Sequence, residues 1–195
     1  IKAALDDYPR EDHRHGIIHD CLPTPEGIQI CRDYHIQMPM QSAFIGWKQE
    51  PDDYLEHILG HDRLEKLNPI KTFRDNDIMV SFGSDAPCTT PDPIVWMDRA
   101  VNNDNAGQAV SVQDALRMCT YNGAWAAFDE QERGSLEAGK IADMAVLSEN
   151  PYTVPKDKLS GLRVERLYLG GKPYESCRES ILPMMLRGLT SRNKA

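Results

Sequence analysis

The run Ile78-Met79-Val80-Ser81-Phe82, closed by Gly83, constrains this chain more than any other stretch of it. Side chains alternate between the two faces of a strand, and here apolar residues fall in both sets. Neither face can be left to water, which predicts a buried parallel strand with helices packed over it. The surrounding sequence supplies those helices. Thr24 followed by Pro25 and Glu26 offers a capping hydroxyl and then a proline where no amide hydrogen is needed, so a helix is predicted from there to about Tyr34. Pro51 to Leu59 places Tyr54, Leu55, Ile58 and Leu59 on one helical face, with Gly60 as a stop. A further helix precedes Asn76, and Pro93 to Val101 is amphipathic. Ser111 with Asp114 forms a capping box for a helix through Tyr121, and Ala124 to Phe128 continue beyond Gly123. Gly16 to His19 and Ile36 to Met40 read as two more short strands. Strands alternating with helices predict an α/β fold.

The pattern changes after Gly134. Ala142 to Leu147 is a strand, and Val164 to Leu169 with Lys172 to Tyr174 form a hairpin around Gly170-Gly171. The chain therefore divides into an α/β region over 1–133, a small β region over 134–176 and a tail over 177–195, with a helix expected at Ile181 to Leu189. A length of 195 residues is enough for a real core. The net charge of −8 argues against a nucleic-acid binder, which needs a basic face for the phosphates. No stretch approaches the roughly 20 apolar residues of a membrane span. The five cysteines, Cys21, Cys31, Cys88, Cys119 and Cys177, are scattered and never form a CxxC pair, which predicts reduced thiols in a cytoplasmic protein. The first residue is isoleucine, so an upstream segment is expected.

Two predicted strands end in residues able to bind a metal. In parallel α/β barrels functional groups sit where strands give way to loops. Ile78 to Phe82 leads into Gly83-Ser84-Asp85-Ala86-Pro87, and Gly16 to Ile18 delivers His19 to the same rim. A carboxylate there binds a divalent cation and accepts a proton from activated water, and imidazole is the commonest zinc ligand. Each residue also has an ordinary role: an aspartate after a strand forms turns and caps, and a lone histidine is usually a half-buried hydrogen-bonding group. Their joint placement raises the chemical reading without deciding it over the ordinary one. Other constellations are weaker. His13-Arg14-His15 has HxH spacing but lies before a strand, in a charged stretch. His57 and His61 are four apart, one helical turn, yet Ile58 stands where a zincin needs glutamate. Ser84 has no G-x-S-x-G elbow around it.

Several segments together resemble the YtcJ-like amidohydrolases, amidohydrolase family 3, relatives of N-substituted formamide deformylase. Arg14-His15-Gly16-Ile17-Ile18-His19 resembles the R-H-R-I-E-H signature, and Gly83-Ser84-Asp85-Ala86-Pro87 with Asp92-Pro93 resembles G-S-D-x-P…D-P. Gly134-Ser135-Leu136, Gly139-Lys140, Ala142-Asp143 and Val146-Leu147 match a G-S-L-x-x-G-K-x-A-D-x-x-V-L stretch, and Gly170-Gly171-Lys172 falls at the closing strands. The resemblance implies about the last three strands of a TIM (β/α)8 barrel plus part of a small β-sandwich. It also implies hydrolysis of a non-peptide C–N bond in a small amide or formamide by a water activated on a divalent metal, zinc being expected. His19 would then end the sixth strand as a metal ligand or substrate contact. Asp85 would end the eighth, binding metal and moving the proton.

Ile18 and Gly16 depart from the signature, and the third strand segment, Met38-Pro39-Met40-Gln41, only approximates the family's Q-P pattern. The remaining ligands of the resemblance, an HxH pair, a carboxylate or carboxylated lysine and another histidine, would all precede Ile1. Three strands cannot close a barrel, and open edges invite pairing, so the missing half or another copy of the chain is expected to pack here. A deaminase on the same scaffold, and a non-catalytic binding or regulatory module, are the alternatives. Sequence does not separate the first of these from a hydrolase, because function sits in loops grafted on the fold.

Overall fold

The computed structural model describes residues 1–174; the helix expected at Ile181 to Leu189, and Cys177, lie outside the described residues. A short helix α1 (Lys2–Asp7) precedes α2 (Pro25–Asp33), which starts where expected because the Thr24 hydroxyl accepts from the Gly27 amide at 3.0 Å. Strand β1 (Met38–Met40) is followed by α3 (Asp52–Leu59), α4 (His61–Leu64) and α5 (Ile70–Asp75), then by β2 (Val80–Phe82) and α6 (Pro93–Val101). Helix α7 (Val112–Cys119) is capped as expected, Ser111 Oγ accepting from the Asp114 amide at 3.0 Å, but it stops before Tyr121. Thr120, with φ −125° and ψ −90°, breaks the helical path, and α8 (Tyr121–Ala126) resumes it.

β1 and β2 pair in parallel, Met38 opposite Val80 and Met40 opposite Phe82. The expected strand at Gly16 to His19 is reduced to one parallel bridge, Gly16 with Gln37. Its hydrogen bonds still follow a parallel ladder: Gln37 N–H to His15 O (2.9 Å), Ile17 N–H to Gln37 O (3.0 Å) and His19 N–H to Pro39 O (3.2 Å). The segment is cut short because His19 (φ 73°) and Asp20 (φ 32°) leave the extended region. Three parallel segments thus finish at one rim, in the order 15–19, β1, β2.

Met38, Met40 and Val80 turn one face toward the helices, where Ile70 and Phe73 of α5, Met97 and Ala100 of α6 and Ala115 and Met118 of α7 bury them to 2% exposure or less. The β region contributes too. A 3-10 turn over Lys156–Gly161, not foreseen from the sequence, drives Leu159 and Leu162 into this same core. The antiparallel sheet of β3 (Met144–Leu147), β4 (Val164–Leu169) and β5 (Lys172–Pro173) follows the expected hairpin, with β4 in the middle. Among the described residues no helix is long and apolar enough to cross a membrane.

Candidate active site

At the shared rim, both sequence-selected residues have left-handed backbone, His19 at φ 73° and Asp85 at φ 52°. Such angles are uncommon outside glycine, with histidine and aspartate among the residues that adopt them most. They swing the chain out of the strand line, and His19 Nε2 comes 3.6 Å from Asp85 Oδ2, both side chains a little under half exposed. That separation is too long for a hydrogen bond. It does suit two donors on one cation: ligands about 2.0–2.2 Å from a tetrahedral metal lie about 3.3–3.6 Å apart. The turn itself is built by others. Ser84 Oγ accepts from the Ala86 amide at 3.1 Å, the Thr89 hydroxyl donates to the Ser84 carbonyl, and the Asp85 carbonyl accepts from the Cys88 amide at 2.9 Å. The Asp85 carboxylate is left facing His19. Among the described residues no group of three or more His, Cys, Asp or Glu side chains is placed to hold a metal.

Phe44 stands edge-on to the His19 ring, centroids 5.8 Å apart, and Trp47 stands edge-on to Phe44 at 4.9 Å. Phe44 also borders a cleft of about 400 Å³ with apolar walls from Ile45, Leu55, Leu64 and Leu67 and carboxylates from Asp52, Glu65 and Asp104.

The sequence pattern of the amidohydrolase family matches residues 1–174, all of the described chain. The chain belongs to the amidohydrolase family. It is 33% identical over 152 residues to the N-substituted formamide deformylase of Arthrobacter pascens, covering 74% of this chain and 26% of that enzyme. It is 25% identical over 183 residues to the putative amidohydrolase YtcJ of Bacillus subtilis (strain 168), covering 88% of this chain and 34% of that protein. The chain thus spans about a quarter to a third of these relatives. An adenosine deaminase from Xanthomonas campestris, solved with bound zinc, superposes on 98% of this chain and 45% of its own, with a TM-score of 0.63 and 18% identity. That likeness shows a shared fold.

Other residues of the chain take structural parts. His13 Nε2 lies 2.8 Å from the Tyr34 carbonyl and His13 Nδ1 accepts from the His15 amide at 2.9 Å, so both His13 ring nitrogens are engaged, and the His15 ring stacks on it with centroids 4.8 Å apart. His57 and His61 do not share a helix face, because α3 ends at Leu59 and Gly60 (φ 78°) turns the chain before α4; His61 sits between Glu56 and Glu65. Burial pushes the Cys119 thiol up to about 12, so it stays protonated and is no nucleophile.

Sequence reasoning missed the best-built polar cluster. Arg14, 8% exposed at its side chain, donates a bidentate pair of 2.8 Å bonds to Glu130, reaches Asp12 at 2.8 and 3.0 Å, and donates to the Trp125 carbonyl. Its guanidinium lies 4.5 Å from the Trp125 ring and 4.1 Å from that of Phe128. The Arg14 carbonyl in turn accepts from Gln37 Nε2 at 2.6 Å. The start of the segment that ends in His19 is thereby fixed to the chain beyond α8. No spacing rule could have found this, since Arg14 and Glu130 are 116 residues apart.

Proposed function

We propose that this chain is the C-terminal portion of a metal-dependent amidohydrolase that hydrolyses carbon–nitrogen bonds of small amides, formamides among them, with His19 and Asp85 in its catalytic centre. The observation that carries the reading is the 3.6 Å approach of His19 Nε2 to Asp85 Oδ2 at the rim where three parallel segments end. The family and the likeness to a formamide deformylase support it. In this reading residues 1–133 supply the last three strands of a TIM barrel, and 134–176 supply part of a β-sandwich beside it. His19 and Asp85 would hold a divalent cation here, zinc by analogy with the Xanthomonas deaminase, which when bound would supply the Lewis acidity that activates water near neutral pH and polarises a carbonyl. Zinc normally takes at least three protein ligands, so the others come from a segment preceding Ile1 or from another copy of the chain.

Asp85 has the second task. Its carboxylate accepts the proton of the attacking water and returns it to the leaving nitrogen, which otherwise departs as a poor amide anion. Half exposure of both side chains leaves room for water and substrate, and the cleft beside Phe44 offers space for an apolar nitrogen substituent. The substrate is a small molecule, since an acidic chain of net charge −8 repels nucleic acid. A deaminase would use the same groups on a ring carbon bearing an amino group, and the fold of the Xanthomonas enzyme supports that second reading.

The test uses the full-length polypeptide that carries this sequence. It should bind about one to two zinc ions, read by mass spectrometry, and hydrolyse N-alkylformamides. Asp85→Asn should keep the circular dichroism spectrum and lose about 10²- to 10⁴-fold in kcat. Near-normal turnover in that variant would sink the mechanism.

A further inference from the structure

His19 and Asp85 end two different segments, and the starts of those segments are tied to one piece of chain. Three backbone hydrogen bonds hold segment 15–19 to β1, and its other edge is unpaired among the described residues. The contact with β1 is close because Gly16 has no side chain: a β-carbon there would stand 2.9 Å from Gln37 Cγ and 3.1 Å from Pro39 Cδ. Arg14, just before the segment, fixes it at its start. The Arg14 carbonyl accepts from Gln37 Nε2 at 2.6 Å, next to the first residue of β1. Its guanidinium donates to the Trp125 carbonyl and, at 2.8 Å each, to the two carboxylate oxygens of Glu130. About one helical turn before Trp125, the same stretch holds β2. Asn122, 7% exposed, donates from Nδ2 to the carbonyl of Val80, the first residue of that strand, at 2.7 Å. Residues 122–130 therefore clasp the starts of both segments whose ends carry the candidate catalytic pair.

We propose that Arg14 is a positioning residue for the metal centre: its paired bonds to Glu130 hold His19 at the separation from Asp85 that lets both bind one cation. This rests on the metal-dependent reading of the site. Two parallel bonds from one guanidinium fix direction as well as distance, and the rings of Trp125 and Phe128 packed on Arg14 restrict it further. A shift at Arg14 is carried to His19, five residues on, through the same ladder of bonds to Gln37 and Pro39. Lysine cannot replace the fork, because it offers a point charge on a flexible stem. Arg14 and Glu130 act through His19 and touch neither the cation nor the substrate.

The experiment compares the full-length polypeptide with its Arg14→Lys, Glu130→Gln and doubly substituted variants, and with Ser111→Ala, which removes the cap of α7 and touches none of these groups. Zinc affinity is read by competition with a chelator, the visible bands of the cobalt-loaded protein report ligand geometry, and thermal melting is followed in parallel. Arg14→Lys and Glu130→Gln should each weaken zinc binding about 10- to 100-fold and shift the cobalt bands. The double variant should lose no more than either single one, because the two side chains act as a pair. Ser111→Ala should lower Tm with zinc affinity and cobalt bands unchanged, which separates positioning from a general loss of stability. Should Arg14→Lys fail to fold, Glu130→Gln carries the same test with the shape of the side chain kept. Unchanged zinc affinity and cobalt bands in Glu130→Gln, losses that add in the double variant, or an equal loss in Ser111→Ala overturn the assignment while leaving the metal-dependent reading standing. A wild type that takes up no zinc overturns that reading, and this proposal with it.

Discussion

The guanidinium of Arg14 donates to Glu130, Asp12 and the Trp125 carbonyl while lying against two aromatic rings. Its neighbour responds: the two hydrogen bonds from Arg14 hold the Glu130 carboxyl well below its ordinary 4.5, at about 2. A carboxyl whose folded pKa is depressed contributes stability above its unfolded pKa and loses that contribution as pH falls through the folded value. Glu130→Gln is therefore expected to be less stable than the parent at pH 7, with the difference shrinking as pH falls from 4.5 to about 2. Urea midpoints for both proteins across that window check it; a difference that does not change with pH would show that the ion pair is not its source. At this scale the sequence was informative where a residue's role depends on its neighbours in the chain. His19 and Asp85 stand out as candidates because each follows a short apolar run that reads as a strand, and the structure brings their side chains within 3.6 Å of each other. The pairing of Arg14 with Glu130 is not legible in this way, because it arises only when distant segments pack.

Among the elements, those with local punctuation fell where the residues said they would. Helix α6 begins at Pro93 because Asp92 accepts from the Ile94 amide at 3.0 Å and proline needs no partner. Helix α7 is tied more firmly, since Ser111 Oγ both accepts from the Asp114 amide and lies 2.7 Å from the Asp114 carboxylate, which also pairs with Arg74 of α5 at 2.8 Å. Ser111→Ala removes that cap and is expected to cost about 0.5–2 kcal/mol without altering kcat, because α7 supports β2 from behind through Ala115 and Met118. Chemical denaturation with a parallel activity assay reads both; an unchanged denaturation midpoint would mean the cap contributes nothing. Helix α3 shows the limit of periodicity. Its apolar face was legible, but Tyr54 and Ile58 are half exposed, because a hydrophobic stripe says what should be covered and not by what. The turn carrying Leu159 had no such stripe, and its burial is decided by contact with α6.

The molecule as a whole is unevenly finished. One core joins the parallel strands, the helices and Leu159 and Leu162 from the β region, while the β3–β4–β5 sheet beside it leaves Val146, Val164, Leu169 and Tyr174 exposed. Its two outer strands differ. β5 contains Pro173, which lacks the amide hydrogen that a new strand would need. β3 has no proline and no charge over Met144–Leu147, and its far edge is unpaired among the described residues. An edge of that kind recruits another strand. If the rest of the proposed β-sandwich lies on a segment preceding Ile1 and pairs with β3, the 195-residue chain alone should associate through β3 at micromolar concentration, whereas the full-length polypeptide should not. Sedimentation velocity over a dilution series distinguishes the two. Val146→Lys, which puts a charge on that edge at an already exposed position, should weaken the association and leave the helical signal unchanged. A 195-residue chain that sediments as a single monomer at every concentration would mean the sheet needs no partner, and the proposed composite sandwich would fall with that result.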